Sequence, residues 1–554
     1  MPILGTVATF NLLTVGSPVV SAYVMFLFLR RRVGDDPAAW IGGLLFGFSP
    51  FMLARQMVHF SLIQAAALPA FALLVYRVRA DRPTVRLALA GGAIVAWAFL
   101  SDPYYAVYCA LMAAFLVLWE ALVVEGRREA AAPVPLRASL DVAIMCLAGV
   151  IVAIILGGGG RIELLGLRVS MTRLYTPMLV LTVLVAARVW LVLRPRVRWQ
   201  IRPLRGFVGA GVLGGLTCAM LLSPVLSAMG SHLADDRWIS PKIWWRSSAP
   251  GVDLLAFLVP NPVGTLLGWI ASDWLAGMPD GLHENVASIP WTATLTVAVA
   301  LVYAGARLPA FWVAFTGTMG LLALGPFIHV GGVNTFIPGP WALLRYVPVI
   351  GAARMPTRLT VLVMLGASVL LAFALKALRA RAAHAWAPPA LIGGLLLLEL
   401  LPAPREIHDA DPPAFYAAIA ADPRDVRVLH LPFGLRDGLS STGDFSAYAQ
   451  FLQTFHEKPL VGGYLSRLPE GRVARYREIR LFRLLFDLSE SRPVAAERTE
   501  AAIEQAHADA VALKIGYVIV DTTRASPQLV AFARSALDLA PIATEQGKEL
   551  YIVR

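Results

Sequence analysis

Apolar segments of membrane-crossing length recur along this chain, and they decide most of what it can fold into. A helix needs about 20 mostly apolar residues to span the hydrocarbon core of a bilayer. Twelve segments are candidates: 8–29, 38–57, 60–78, 85–101, 104–124, 138–156, 175–193, 205–225, 289–306, 309–326, 356–378 and 387–402. The pair 38–57 and 60–78 also reads as one broken helix followed by a re-entrant one. Of the 554 residues, 58% are hydrophobic and 15% charged. A soluble domain carries roughly 45–50% apolar and about 25% charged residues. A soluble enzyme, a disordered chain and a collagen-like chain are excluded. The expected fold class is an α-helical polytopic membrane protein of about 12 transmembrane helices with a small C-terminal α/β extramembrane domain.

The net charge of +12 does not point to nucleic acid, because of where it lies. Residues 1–402 hold 30 Lys/Arg against 16 Asp/Glu, and residues 403–554 hold 18 against 20. The excess sits between hydrophobic segments, where cytoplasmic loops collect Lys and Arg. With the N-terminus outside, the inner loops hold 20 basic residues and the outer loops up to residue 402 hold 10. That asymmetry predicts a multi-pass membrane protein with the N-terminus and the C-terminal domain on the outer side.

Residues 1–402 then form the transmembrane domain, with outer loops 226–288 and 327–355. Residues 403–554 form the outward-facing domain, a plausible size for independent folding. Within it 425–432, 515–521 and 549–553 read as short buried strands, and 411–421, 470–488, 495–511 and 526–537 as helices. The three cysteines, Cys109, Cys146 and Cys218, all fall in apolar stretches and suggest neither a disulfide framework nor a CxxC metal site. The chain lacks a P-loop, an HExxH helix and a GxSxG elbow, which excludes a transporter subunit carrying its own nucleotide domain.

Polar residues beside the membrane are costly and usually line a cavity or pair with one another. Arg55 and His59 stand four apart at a helix break, an anion clamp for a lipid phosphate or else a snorkelling Arg beside a satisfied His. The turn SDPYY offers Asp102 as an acidic residue and Tyr104 and Tyr105 as an aromatic platform; its plainer reading is a helix cap with interfacial tyrosines. Arg354 and Arg358 open the segment 356–378 at a spacing that suits one helical face, a good phosphate site or a headgroup anchor. The loop 226–288 carries Asp235, Asp236, Asp253, Asp273, Asp280 and Glu284, together with Trp238, Trp244, Trp245, Trp269 and Trp274. Its aromatics suit an interfacial helix or stacking on a sugar, with Trp244 and Trp245 as candidate substrate platform. Its carboxylates could act as a base or bind a divalent cation, magnesium or manganese. Glu399 lies inside the last apolar segment, either functional or near the outer interface.

The phrases FSPFMLARQMVHFSLIQAAALPAFALLVYR, SDPYYAVYCALMAAFLVL and GAARMPTRLTVLVML resemble the bacterial GT-C superfamily of polytopic glycosyltransferases. VLHLPFG, FLQTFHEKPLVGGYLSRLP and IGYVIVD are similar to the outward domain that follows the membrane part in many of its uncharacterised members. The resemblance implies transfer of a sugar from a polyprenyl-phosphate donor to a glycan or lipid acceptor in the cell envelope, by a multi-pass protein of the bacterial inner (cytoplasmic) membrane whose outer side is periplasmic. It implies that basic residues hold the phosphate, here Arg354, Arg358, Arg55 and His59, and that a carboxylate serves as base. Members usually begin with a helix and a long outer loop carrying that carboxylate, whereas this chain begins at what looks like the second family helix. Either the start lies inside a longer reading frame, or the base is lost, or Asp102, Asp235 or Asp236 substitutes. Two rivals stay open: a transporter or flippase for a lipid-linked glycan, and a non-catalytic membrane scaffold. Almost no midplane charge and no internal repeat weigh against the flippase.

Overall fold

The structure, a computed structural model, describes residues 4–80, 83–125, 134–158, 161–164, 167–170, 173–200, 204–234, 251–348, 350–351, 353–407, 410–438, 440–465, 468 and 470–554. The chain divides into two compact units, Met1–Gly230 with Ser240–Glu406, and Ser231–Ile239 with Ile407–Arg554.

The helices up to residue 234 are α1 (Gly5–Val33), α2 (Asp36–Gly47), α3 (Pro50–Arg55), α4 (Ala67–Ala80), α5 (Val85–Ser101), α6 (Pro103–Ala121), α7 (Val134–Gly157), α8 (Tyr175–Leu193), α9 (Leu204–Leu221) and α10 (Ser223–Ala234). Then come α11 (Ser272–Ala276), α12 (Gly281–Asn285), α13 (Trp291–Val302), α14 (Ala310–Ala323), α15 (Trp341–Leu344), α16 (Thr360–Arg379) and α17 (Ala387–Glu399). Among the described residues three antiparallel ribbons accompany them: β1 (Leu122–Glu125) with β4 (Arg196–Trp199), β2 (Arg161–Leu164) with β3 (Leu167–Ser170), and β5 (Phe327–Val330) with β6 (Val333–Pro338).

Among the described residues six helices are long and apolar enough to cross a membrane: Gly5–Val33, Asp36–Arg55 (α2 and α3 together), Pro103–Ala121, Pro135–Gly157, Tyr175–Leu193 and Pro356–Arg379. The pair Phe207–Leu221 and Ser223–Ser231, bent by 73°, makes a seventh if it is one span. Candidate segments 85–101, 289–306, 309–326 and 387–402 hold shorter apolar helices: Val85–Ser101, Trp291–Val302, Ala310–Ala323 and Ala387–Glu399. Segment 60–78 holds a 3₁₀ turn, Phe60–Ile63, and α4. At 1.5 Å per residue a helix of under about 18 residues falls short of a 30 Å core. Breaks shorten them: α13 begins behind Pro290, and a left-handed Gly305 (φ 55°) follows its end. The first unit is thus mostly helical, with several membrane-length apolar helices.

The bundle packs by close backbone approach. Gly34, left-handed at φ 69°, ends α1, and the Asp35 carboxylate caps α2 by accepting from Ala38 N at 3.0 Å. A Cβ on Gly43 of α2 would lie 2.7 Å from the Ala22 carbonyl oxygen of α1, so only glycine permits this contact. α16 is the central helix, with 14 of its 20 residues buried. α8 has no buried residue although its surface is apolar, the pattern expected of a lipid-facing helix.

The C-terminus of α16 marks a basic end. There Lys376 Nζ donates to the Val33 carbonyl at 2.7 Å, Arg379 pairs with Asp35, and Arg381 donates to the Tyr303 carbonyl at 2.6 Å. At the start of α16 the chain segments around residues 55, 284 and 358 meet.

The second unit has α18 (Phe415–Ala421), α19 (Tyr448–His456), α20 (Glu470–Glu478), α21 (Arg480–Ser489), α22 (Ala496–Ala512) and α23 (Pro527–Ala536). Its strands are β7 (Arg427–Leu431), β8 (Gly434–Arg436), β9 (Ser441–Gly443), β10 (Leu460–Val461), β11 (Gly463–Tyr464), β12 (Ile515–Asp521), β13 (Leu539–Glu545) and β14 (Lys548–Val553). The main sheet has the order β10-β7-β12-β14-β13, with β10, β7 and β12 parallel and β14 and β13 antiparallel. Strand alternation splits the core. Val428, Tyr517, Ile519 and Leu550 pack with α18 and α19 on one face. Leu429, Leu431, Val518, Val520 and Tyr551 pack with α21, α22 and α23 on the other. The apolar runs 515–521 and 549–553 fall on β12 and β14, and the expected helix 470–488 is broken between α20 and α21.

Candidate functional site: an arginine–carboxylate cluster

Three separate stretches build the site. Ser49 caps α3, and this short helix ends on Arg55, which is fully buried. Asp280 (φ 66°) and Gly281 (φ 74°) turn the chain into α12. Asn285 Nδ2 ties that turn by donating to the carbonyls of Pro279 at 2.7 Å and Gly281 at 2.8 Å, and so fixes Glu284. The 3₁₀ turn Pro356–Leu359 carries Arg358 into α16.

Glu284 is the centre. Arg55 Nη2 lies 3.0 Å from its Oε2, Arg358 Nη2 2.7 Å from its Oε1, and His59 Nε2 3.2 Å from the same Oε1. Thr357 Oγ1 donates to Oε2 at 3.2 Å. Arg55 also donates to the carbonyls of His283 and Glu284. Arg358 Nη2 stands 3.2 Å from His59 Nε2, and its guanidinium lies 4.8 Å from the Tyr104 ring centroid. Burial alone would raise the Glu284 carboxyl, but the two guanidiniums overcome it and bring it down to about 2. Burial depresses His59 to about 4: Glu284 favours its charged form, and Arg358 and Arg55 oppose it. His59 is therefore neutral at pH 7, and its buried Nδ1 has no partner among the described residues.

Two groups at the edge are not consumed by this network. Arg354 has a buried Nη1 with no hydrogen-bond partner among the described residues. Asp280 is exposed at the rim, where partial enclosure and the Glu284 charge push its carboxyl up while Arg354 and Arg358 pull it back. Arg55, Arg358 and Arg354 against Glu284 and Asp280 leave one positive charge over the group, in which Arg55 and Arg358 share Glu284 and Arg354 makes no ion pair among the described residues. Such a site can take an anion at Arg354 and hold a carboxylate of raised basicity beside it.

The sequence candidates fall as follows. Arg55, His59, Arg358 and Tyr104 meet in the cluster, and Arg354 borders it. Arg354 and Arg358 do not share a helix face as expected, because Arg354 precedes the 3₁₀ turn. His59 likewise lies beyond α3, returned by a turn in which its N–H donates to the Arg55 carbonyl at 2.8 Å. Asp102 caps α6, its Oδ1 accepting from Tyr104 N at 2.9 Å and its Oδ2 from Ser61 Oγ at 2.7 Å. Tyr105 is buried and donates to the Leu62 carbonyl. Asp235, Asp236, Trp244 and Trp245 lie outside the described residues. Glu399 caps α13, accepting from Trp291 N at 2.5 Å and Thr292 N at 2.9 Å. Asp253 binds three backbone N–H groups, of Leu255, Gly331 and Gly332, and anchors the β5–β6 turn. In the sequence, Glu284 and Asp280 are visible only as two carboxylates of an acidic loop. Among the described residues no group of three or more His, Cys, Asp or Glu is placed to hold a metal ion. An apolar groove of about 1140 Å³ between α13 and α17 shares no lining residue with the cluster.

Fold and site together define a mostly helical protein with membrane-length apolar helices that encloses an arginine-rich ionic cluster at the start of its central helix. Residues 4–163 match a domain of unknown function, DUF6311. Comparison with curated proteins and with solved structures finds no match.

Proposed function

We propose that this chain is an integral membrane glycosyltransferase of GT-C type, moving a sugar from a polyprenyl-phosphate donor to a cell-envelope acceptor. The observation that carries the reading is the unpartnered Arg354 Nη1 beside Asp280, at the rim of a cluster with one excess positive charge. Asp280 takes the proton of the acceptor hydroxyl, whose oxygen attacks the anomeric carbon. The bond from that carbon to the phosphate oxygen breaks, and the leaving polyprenyl phosphate is neutralised by Arg354 and Arg358. Glu284 and Arg55 keep Arg358 in place. Glu284 itself, held near 2, is too weak a base for this step.

The proposal includes twelve crossings of a bacterial inner membrane. The six long helices and the bent pair α9–α10 account for seven by length and composition; the proposal assigns the other five crossings to the segments that hold α4, α5, α13, α14 and α17, whose helices are themselves shorter than the hydrocarbon core. The cluster and the C-terminal unit then belong to the outer face, and the basic end of α16 to the cytoplasm. The test is transfer from a labelled polyprenyl-phosphate sugar in proteoliposomes. Asp280→Asn and Arg354→Ala should each lower transfer by about 100-fold or more, the range for loss of a base or a charge stabiliser. Wild-type rates in both variants would sink the assignment. Movement of the labelled lipid across the bilayer without transfer would favour the flippase instead.

A further inference from the structure

The second unit holds a crevice that plays no part in the proposed transfer. In open sheets with helices on both faces, ligands bind beyond the carboxyl ends of parallel strands, where connections depart to opposite sides. Here β7 and β12 are parallel neighbours. β7 connects through α19 to β10 across one face, and α21, α22 and α23 cover the other. At the carboxyl ends of β7 and β12 a cavity of about 20 Å³ is lined by His430, Ser446, Tyr448, Asp521, Arg524 and Lys548, among others. That volume admits one water-sized group, such as a single oxygen of an oxyanion.

Strand alternation explains why these residues converge. His430 and Ile519 are register partners, as are Asp521 and Lys548. With Val428, Ile519 and Leu550 facing α19, the period of two puts His430, Asp521 and Lys548 on that same face. Four features there favour a negative group. His430 is 8% exposed and its Nε2 has no partner among the described residues. Lys548 makes no ion pair among the described residues; its Nζ stands 5.6 Å from the Tyr448 ring centroid. α19 starts at Tyr448, its N-cap Ala447 makes no side-chain cap, and Ser446, Tyr448 and Ala449 of this end line the cavity, so the positive end of the helix borders it. Arg524 is already paired with Asp444 at 2.6 Å and adds positive potential without needing the ligand. Asp521 opposes a second negative charge, which selects a monoanion over a phosphate dianion. The hydroxyl and N–H of Thr523 hold its Oδ1 in place.

We propose that this crevice binds the carboxylate of a small organic acid, with Lys548 and His430 as its partners and the N-terminus of α19 behind them. Burial holds the His430 imidazole well below its usual range, to about 3, so it is neutral at pH 7 and can donate Nε2–H to a carboxylate oxygen. The test uses the full chain in detergent with ¹³C-labelled histidine, titrated with sodium acetate at pH 7. The His430 signal is identified by its loss in His430→Gln. It should shift saturably with acetate and stay in place with sodium chloride. Lys548→Met should weaken the midpoint about tenfold, the size expected for one charge-assisted hydrogen bond. Lys548→Arg, which keeps the charge, should retain the shift, with the other histidine signals unmoved in both variants. An unmoved His430 signal overturns the proposal. So does an equal response to chloride, a response to inorganic phosphate but not to acetate, or an unchanged midpoint in Lys548→Met.

Discussion

At the scale of single residues, the cluster separates groups that hold the fold from groups that are free to act. Glu284 is bound by two guanidiniums, a hydroxyl and an imidazole, so removing its charge strands the fully buried Arg55. Glu284→Gln should therefore cost about 3–5 kcal/mol in thermal or denaturant unfolding in detergent. Arg354→Ala should stay within about 1 kcal/mol, since its buried Nη1 has no partner to lose among the described residues. The same unfolding assay should show acid sensitivity in two steps. His59 and Glu284 both have folded values below their unfolded ones, 6.5 to about 4 and 4.5 to about 2. The unfolded chain therefore binds more protons, and stability is full above pH 6.5. It falls first as His59 becomes protonated in the unfolded chain, then further between pH 4.5 and 2. A His59→Gln variant should reduce the upper step, which the depressed His283, His430 and His456 share, and keep the lower. Arg55, His59, Arg354 and Arg358 are legible in the sequence as basic residues beside apolar segments, but the helical spacing read within each pair is not what brings them together, since His59 lies beyond α3 and Arg354 precedes the 3₁₀ turn. Glu284 is not, because its partners lie 229 and 74 residues away and no local pattern encodes that meeting.

At the scale of elements, apolar length marks the membrane-length helices, but hydropathy does not register where a helix breaks. The run 289–306 reads as one segment, yet only Trp291–Val302 is helical, bounded by Pro290 and followed by a left-handed Gly305. The turn Phe60–Ile63 inside 60–78 is equally hidden, although it helps to set His59 against Glu284. In the second unit β7, β12 and β14 announce themselves as apolar runs. By contrast β13 is interrupted by Pro541 and ends in Thr544 and Glu545, so no such run marks it. Close packing gives a test at this scale. Gly43→Val would force a side chain against the Ala22 carbonyl and should cost about 1–3 kcal/mol. Gly149→Val in α7 meets nothing within 4 Å and should leave the melting temperature unchanged. Equal melting of the two variants would contradict the α1–α2 contact.

At the scale of the whole molecule, the functional assignment depends on which end of α16 faces outward. In a cysteine-free background, Thr265→Cys lies beside Pro402, to whose carbonyl the native Thr265 hydroxyl donates, and Ala383→Cys lies beyond the basic end of α16. A membrane-impermeant maleimide applied to intact cells should label the first and spare the second. The proposed function makes one requirement beneath the topology, that the cluster receive a lipid phosphate through Arg354. The most direct measurement is binding of polyprenyl phosphate to the purified full chain, with the uncharged polyprenol as comparison. The phosphate should bind saturably and at least about tenfold tighter than the alcohol, with that preference lost in Arg354→Ala. Equal affinity for phosphate and alcohol, or a preference unchanged in Arg354→Ala, would contradict it.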